Sequence, residues 1–249
     1  MKKLSKALLV LTGAALLLSG CGSKKSDALV VGTNAEFPPF EYVSSSGIID
    51  QYDGIDIAIA KGVGDSIGKE VKIENMEFDA LLIALANGQI DAVIAGMTVT
   101  DERKQSVDFS EPYYEATQVM IVKEGSDITK ASDMADKRIV VLQGFTGELS
   151  VQDLGYEYEA FKKGTEAILE LNNDKCDVVV LDSATAQKYV ADTPGLKIVE
   201  DPDAFETEEY AIAVKKGNTE LLGKINDAIN KMKSDGSIAD WSVKYSEAE

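Results

Sequence analysis

The stretch Phe78-Asp-Ala-Leu-Leu-Ile-Ala-Leu-Ala86-Asn-Gly88-Gln-Ile-Asp91-Ala-Val-Ile94-Ala-Gly96-Met-Thr98-Val-Thr-Asp-Glu-Arg103 decides the fold of this chain. Its opening reads as a helix by apolar spacing, and Asn87-Gly88 supplies the left-handed stop that helix ends favour. Asp91 to Ile94 reads as a buried strand, followed by a loop of small and hydroxylated residues that ends on Arg103. The same grammar returns later. A helix over Glu166 to Leu171 ends at Asn172-Asn173, and Asp177 leads the strand Val-Val-Val-Leu181 into Asp182-Ser183. Helix, short connection, aspartate, apolar strand and polar loop thus occur twice in order, a weak internal duplication that predicts two similar α/β lobes.

Working outward, Ala28 to Thr33 and Val71 to Ile73 read as strands, and Gly54 to Val63 as a helix. Asn34-Ala-Glu-Phe37-Pro-Pro-Phe40-Glu-Tyr42 carries two prolines, which disfavour regular ladder pairing. Arg138 to Leu142 is a further strand, running into Gln143-Gly-Phe-Thr146-Gly147. Alternation of this kind predicts an α/β fold with largely parallel sheets. Tyr113 to Val122 is rich in strand formers and is expected to link the lobes, with a return near Phe205 to Tyr210 and Tyr210 to Val214 rejoining the first sheet. The expected boundaries are residues 28–114 with 208–249 for one lobe, 118–204 for the other, and crossings near 114–118 and 204–208. A C-terminal helix from Glu220 to Ser234 has a core-facing stripe at Leu221, Leu222, Ile225, Ile229 and Met232. A last short helix carries Trp241 as a packing residue.

Ligands of open α/β sheets bind beyond the carboxyl ends of the strands. The segments there are Asn34 to Phe37, Gly96 to Arg103, Gln143 to Thr146, and Asp182. Two facing lobes would bring these loops to one cleft. Arg103 is one of only two arginines, and its planar fork matches a carboxylate in two parallel hydrogen bonds, as lysine cannot. Asp182 from the second lobe would answer an ammonium. An arginine and an aspartate so placed complement an α-amino acid zwitterion.

The ends and the composition add limits. Lys2, Lys3 and Lys6 precede an apolar run from Ala7 to Leu18 and then Ser19-Gly20-Cys21, the order of a signal peptide over residues 1–20. The run is short for a membrane span. Gly22 to Ser26 and the residues up to 27 read as a flexible tether. Without the leader, basic residues fall from 25 to 22 against 43 acids and the net charge from −18 to −21. That charge repels nucleic acid and anionic lipid headgroups. Histidine is absent, which removes imidazole-based triads and most zinc ligand sets. Neither a cofactor nor a metal is expected. Cys176, before an apolar strand, reads as a small buried hydrophobe.

Together, Gly32-Thr-Asn-Ala-Glu-Phe-Pro-Pro-Phe-Glu41, Gly54-Ile-Asp-Ile57, Gly88-Gln-Ile-Asp91, Gly96-Met-Thr-Val-Thr-Asp-Glu-Arg103, Asp108-Phe-Ser-Glu-Pro-Tyr-Tyr114, Leu142-Gln-Gly144 and Leu181-Asp182 resemble the polar amino-acid substrate-binding proteins of ABC importers. These are the lysine/arginine/ornithine, histidine and glutamine binders, and the likeness covers roughly Leu29 to Tyr245. It implies a type II periplasmic-binding-protein-like fold, two α/β lobes with a two-strand hinge and a ligand cleft between them. It implies that Arg103 binds the ligand α-carboxylate with backbone donors at Thr98 and Thr146. Asp182, the Gly96 carbonyl and the Thr98 hydroxyl would take the α-amino group. Phe37 and Phe78 match positions whose rings enclose the ligand side chain, with Gln143 and Phe145 at the mouth. Asn34 departs from the aspartate of several cationic-ligand binders, and Glu36 is the candidate replacement. Cys21 resembles a lipobox cysteine, which implies lipidation and an extracytoplasmic, lipid-anchored protein. The implied partners are a polar L-amino acid of basic or glutamine type, a permease and its ATPase, and the membrane through the anchor, with a monomeric receptor and no nucleic acid. Cyclohexadienyl dehydratases share this scaffold, so an enzyme is the alternative; a ligand-sensing module is a second.

Overall fold

The computed structural model describes residues 28–247. The expected signal peptide, Cys21 and the expected tether lie outside the described residues. Two mixed sheets form the frame. The first has the order β5-β1-β6-β14-β7, built from β1 (Leu29–Thr33), β5 (Val71–Asn75), β6 (Ala92–Val93), β7 (Val107–Phe109) and β14 (Ala213–Lys215). The second has the order β10-β9-β11-β8-β12, built from β8 (Tyr114–Lys123), β9 (Ile139–Leu142), β10 (Tyr158–Phe161), β11 (Val178–Asp182) and β12 (Leu196–Val199). The helices are α1 (Ile55–Ile67), α2 (Leu81–Ala86), α3 (Asp101–Ser106), α4 (Thr146–Asp153), α5 (Gly164–Asn172), α6 (Ser183–Asp192), α7 (Thr219–Ser234) and α8 (Ser237–Glu247).

The duplication is physical. β1 lies parallel to β5 and β6, and β9 lies parallel to β10 and β11. Asp91 accepts a hydrogen bond from the Val30 N–H at 3.0 Å, and Asp177 accepts one from the Arg138 N–H at 2.8 Å. Each aspartate therefore fastens the strand it starts to a parallel neighbour in its own sheet, β6 to β1 and β11 to β9. Arg138 adds a two-point pair to Asp177, Nη2 to Oδ1 at 2.6 Å and Nε to Oδ2 at 3.1 Å, so the second arginine is structural. The central parallel strands β9 and β11 of the second sheet are buried on both faces, as strands between helices require. Val140 and Leu142 join one core cluster, while Ile139 and Val141 face another with Met120, Val178 and Val180.

Both sheets are mixed, where sequence periodicity predicts largely parallel ones. β14 runs antiparallel to β6 and β7, and β8 antiparallel to β11 and β12. These are the strands that carry the chain between sheets. The first residues of β8 pair with β13 (Thr207–Tyr210), from Thr117↔Thr207 to Tyr114↔Tyr210, and its later residues enter the second sheet. The prolines also permit more pairing than their chemistry suggests. β2 (Glu36–Phe37) pairs with β3 (Glu41–Val43), which pairs with β4 (Tyr52–Asp53), because Pro38 and Pro39 occupy the turn and owe no ladder N–H. Phe78–Ala80 is a 3-10 turn leading into α2 rather than part of one regular helix. On the far side, α7 buries Ile225, Ala228, Ile229 and Met232. Leu221, Leu222 and Trp241 pack partly buried against the same core. Cys176 is buried, and burial pushes its thiol up to about 12.

Candidate functional site

The carboxyl ends of β1, β6, β9 and β11 face one interface between the two sheets, and the predicted residues gather there. Gly96 sits after β6 with φ +53, a left-handed conformation that suits glycine. A Cβ there would stand 2.8 Å from the Phe37 ring, so the loop can approach the aromatic wall only without a side chain. The loop is fixed from behind. Asp56 accepts from the Gly96 N–H at 2.7 Å and from the Tyr113 hydroxyl at 2.7 Å. Burial pushes Asp56 up to about 6, against the pull of those two donors. Its neighbour Glu41 is fully buried, and burial followed by the charge of Asp56 pushes it well above the usual carboxylate range.

Thr100 caps α3 by accepting from the Arg103 N–H at 3.1 Å, which sets the arginine's direction. Its guanidinium donates to the Thr98 carbonyl at 2.8 Å and, across the interface, to the Gly144 carbonyl at 2.9 Å. It also lies 5.3 Å from the centre of the Phe78 ring. Burial lowers its pKa, while Glu208 and Asp182 pull the other way, so these two acids are in its electrostatic neighbourhood. Gly144 has φ +81, and a Cβ on it would meet Asp79 at 3.4 Å. The close approach of the second lobe sets the Gly144 carbonyl on the Arg103 guanidinium.

Asp182 is buried at the end of β11. Its Oδ1 accepts from the Tyr210 hydroxyl at 2.6 Å, and its Oδ2 is buried without a hydrogen-bond partner. Burial, then the charge of Glu208, pushes Asp182 up to about 7. An orphaned carboxylate oxygen in this position is an acceptor waiting for a donor. Glu208, from β13, reaches the same region. Its Oε2 accepts from the Thr146 hydroxyl at 2.6 Å and the Thr98 hydroxyl at 3.0 Å, one from each lobe. Both hydroxyl protons point at Glu208; Thr146 Oγ1 also accepts from the Gln118 amide at 3.2 Å, so it is the Thr98 oxygen whose lone pairs remain for another donor. The Thr146 N–H lies in the first turn of α4, where a helix has no internal acceptor for it.

The remaining predicted residues divide. Phe37, Phe78 and Gly96 join the buried centre, together with Phe145. Asn34 is buried and its side-chain amide donates to the Met76 carbonyl at 2.9 Å, which ties its loop down. Glu36 and Gln143 stand at the rim and bridge the lobes, Glu36 to Lys163 at 2.9 Å and Gln143 to Asp79 at 3.0 Å. Sequence reasoning missed Glu208 and Tyr210 as site residues, although both lie in the segment it marks as the return crossing. It gave no part to Glu41, Asp56 or Lys163. The described residues hold no group of three or more acids or cysteines placed to bind a metal, and no helix among them is long and apolar enough to cross a membrane.

Known proteins are similar to this chain in sequence and fold. A probable histidine-binding protein of Neisseria gonorrhoeae is 36% identical, over 93% of this chain and 91% of its own length. The arginine-, lysine-, histidine-binding protein ArtJ of Geobacillus stearothermophilus has a structure that superposes with a TM-score of 0.82 at 36% identity, covering 89% of this chain and 96% of ArtJ. An ancestral arginine-binding protein solved with glutamine superposes at 0.81 with 43% identity, covering 88% and 97%. Residues 29–248 match the profile of the bacterial extracellular solute-binding proteins, family 3. With the two-sheet frame and the charged interface between its lobes, this chain belongs to that family.

Proposed function

We propose that this protein captures a polar L-amino acid outside the cytoplasm and delivers it to an ABC permease and its ATPase. One observation carries the reading: Arg103 on one lobe and the half-satisfied carboxylate of Asp182 on the other act within a single buried interface. Arg103 and the Thr146 N–H suit the α-carboxylate. Asp182 Oδ2, the lone pairs of the Thr98 hydroxyl and the Gly96 carbonyl suit the three hydrogens of the α-ammonium. Relatives named for histidine and arginine binding support the ligand class, and the ABC transporter glutamine-binding protein GlnH of Bacillus subtilis, 32% identical, supports the transport role.

The lobes are taken as residues 28–114 with 208–249, and 118–204, and the pairing of β8 with β13 supports crossings near 114–118 and 204–208. Ligand groups shared between lobes would favour closure, and a permease would read the closed shape. Cys21 would anchor the receptor by lipid, a reading that rests on sequence. A thermal-shift screen against the twenty amino acids tests the proposal. At least one is expected to raise the unfolding temperature, and a flat response across all twenty would refute it.

A further inference from the structure

The side-chain compartment next to the zwitterion groups is bounded by Phe37, which abuts Gly96, and by Phe78, which lies against Arg103. A ligand side chain leaving those groups must run along these rings. The second lobe already places a ring there. Phe145 stacks on Phe78 with centroids 3.9 Å apart and planes 23° apart, and it meets Phe37 at 5.1 Å and 40°. All three rings are buried, Phe145 to 4% exposure. Phe145 follows Gly144, whose carbonyl holds Arg103, so its position is coupled to the closed interface.

The rim shows a matching pattern. Each of three first-lobe acids beside the compartment has a second-lobe partner. Glu36 pairs with Lys163 at 2.9 Å, Glu77 with Lys162 at 4.0 Å, and Asp79 accepts from Gln143 at 3.0 Å. A cationic side chain would have to separate Phe145 from Phe78 and then compete with a lysine for Glu36. Burying its charge without a carboxylate is strongly unfavourable. An uncharged side chain needs no carboxylate partner and leaves the Glu36–Lys163 pair intact.

We infer that Phe145, assisted by the Glu36–Lys163 pair, sets specificity by closing the compartment to cationic side chains, so that the ligand is an L-amino acid with an uncharged side chain. The inference rests on the amino-acid reading and chooses between the basic and glutamine types that the sequence leaves open.

The test is calorimetry on the whole exported chain with alanine, serine, asparagine, glutamine, arginine and lysine. The tightest uncharged ligand is expected to bind at least tenfold better than arginine or lysine. Phe145→Thr, and separately Lys163→Ala at the exposed rim, are expected to shrink that ratio at least threefold. Arginine or lysine binding wild type within tenfold of every uncharged ligand would overturn the inference and leave the amino-acid reading standing. An unchanged ratio in both variants would also overturn it. Binding of no amino acid at all would instead refute the reading on which it rests. Lys163→Ala and the wild-type panel remain informative if Phe145→Thr does not fold.

Discussion

The protonation of Asp182 makes ligand capture pH-dependent with a sign that the structure fixes. Burial and the nearby Glu208 push this carboxyl up to about 7, so near neutrality the ligand-free site is a mixture of neutral and ionised forms. Only the ionised form attracts an ammonium, and a bound ammonium would draw its pKa down. Affinity should therefore fall as pH drops through 7. From pH 8 to pH 6 the ionised fraction of a group with pKa 7 goes from roughly nine-tenths to one-tenth, which weakens binding about tenfold, or about 1.4 kcal/mol. Calorimetry at pH 6, 7 and 8 in buffers of different ionisation enthalpy reads both quantities. Close to one proton should be released per ligand bound at pH 6 and close to none at pH 8. Asp182→Asn should bind weakly and lose the proton release. Affinity and proton count that stay flat across this range in the wild type would refute the reasoning.

Arg103→Ala should weaken ligand binding by about 2–5 kcal/mol, about 30-fold or more, because the ligand carboxylate is left buried and unpaired. Arg103→Lys should not restore it, since an ammonium cannot hold the Thr98 and Gly144 carbonyls and a carboxylate with one planar fork. Glu41→Gln should flatten the loss of stability with rising pH. The folded protein keeps the Glu41 proton above the unfolded value of about 4.3, so it binds more protons than the unfolded chain and loses stability as pH rises. Urea melts of both proteins at pH 5.5 and 7.5 check this, and equal slopes would contradict it. Gly96→Ala adds a left-handed strain of about 1–2 kcal/mol to a clash with Phe37. Its denaturation midpoint should fall visibly, and an unchanged midpoint would show that the loop is not held as described.

What was legible in the sequence was local. Asp91 and Asp177 announce the same strand connection twice, and each does the same work on a backbone N–H. Arg103, Gly96, Thr98, Thr146 and Asp182 follow strands or lie in their loops, so a rule about strand ends gathers them without tertiary knowledge. The misses are contacts between distant segments. Glu208 meets Thr98 across 110 residues and Thr146 across 62, and no local pattern marks an acid in a crossing strand as a partner of two threonines. Glu41 carries no local mark of burial, and only folding seals it against Asp56. The antiparallel places of β8 and β14 follow from the chain entering and leaving a second sheet, whereas hydrophobic periodicity reports only that a strand is buried. Phe145 is legible as a mouth residue, but its stacking between Phe37 and Phe78 depends on how two lobes meet.

The account stands on one amino acid being gripped at both of its charged ends by opposite lobes. The direct measurement is the affinity of the tightest-binding amino acid beside those of its N-acetyl and carboxamide derivatives, each lacking one of the two charges. Each derivative should bind at least about 30-fold more weakly than the parent. Retention of parent-like affinity by either derivative would contradict the central claim.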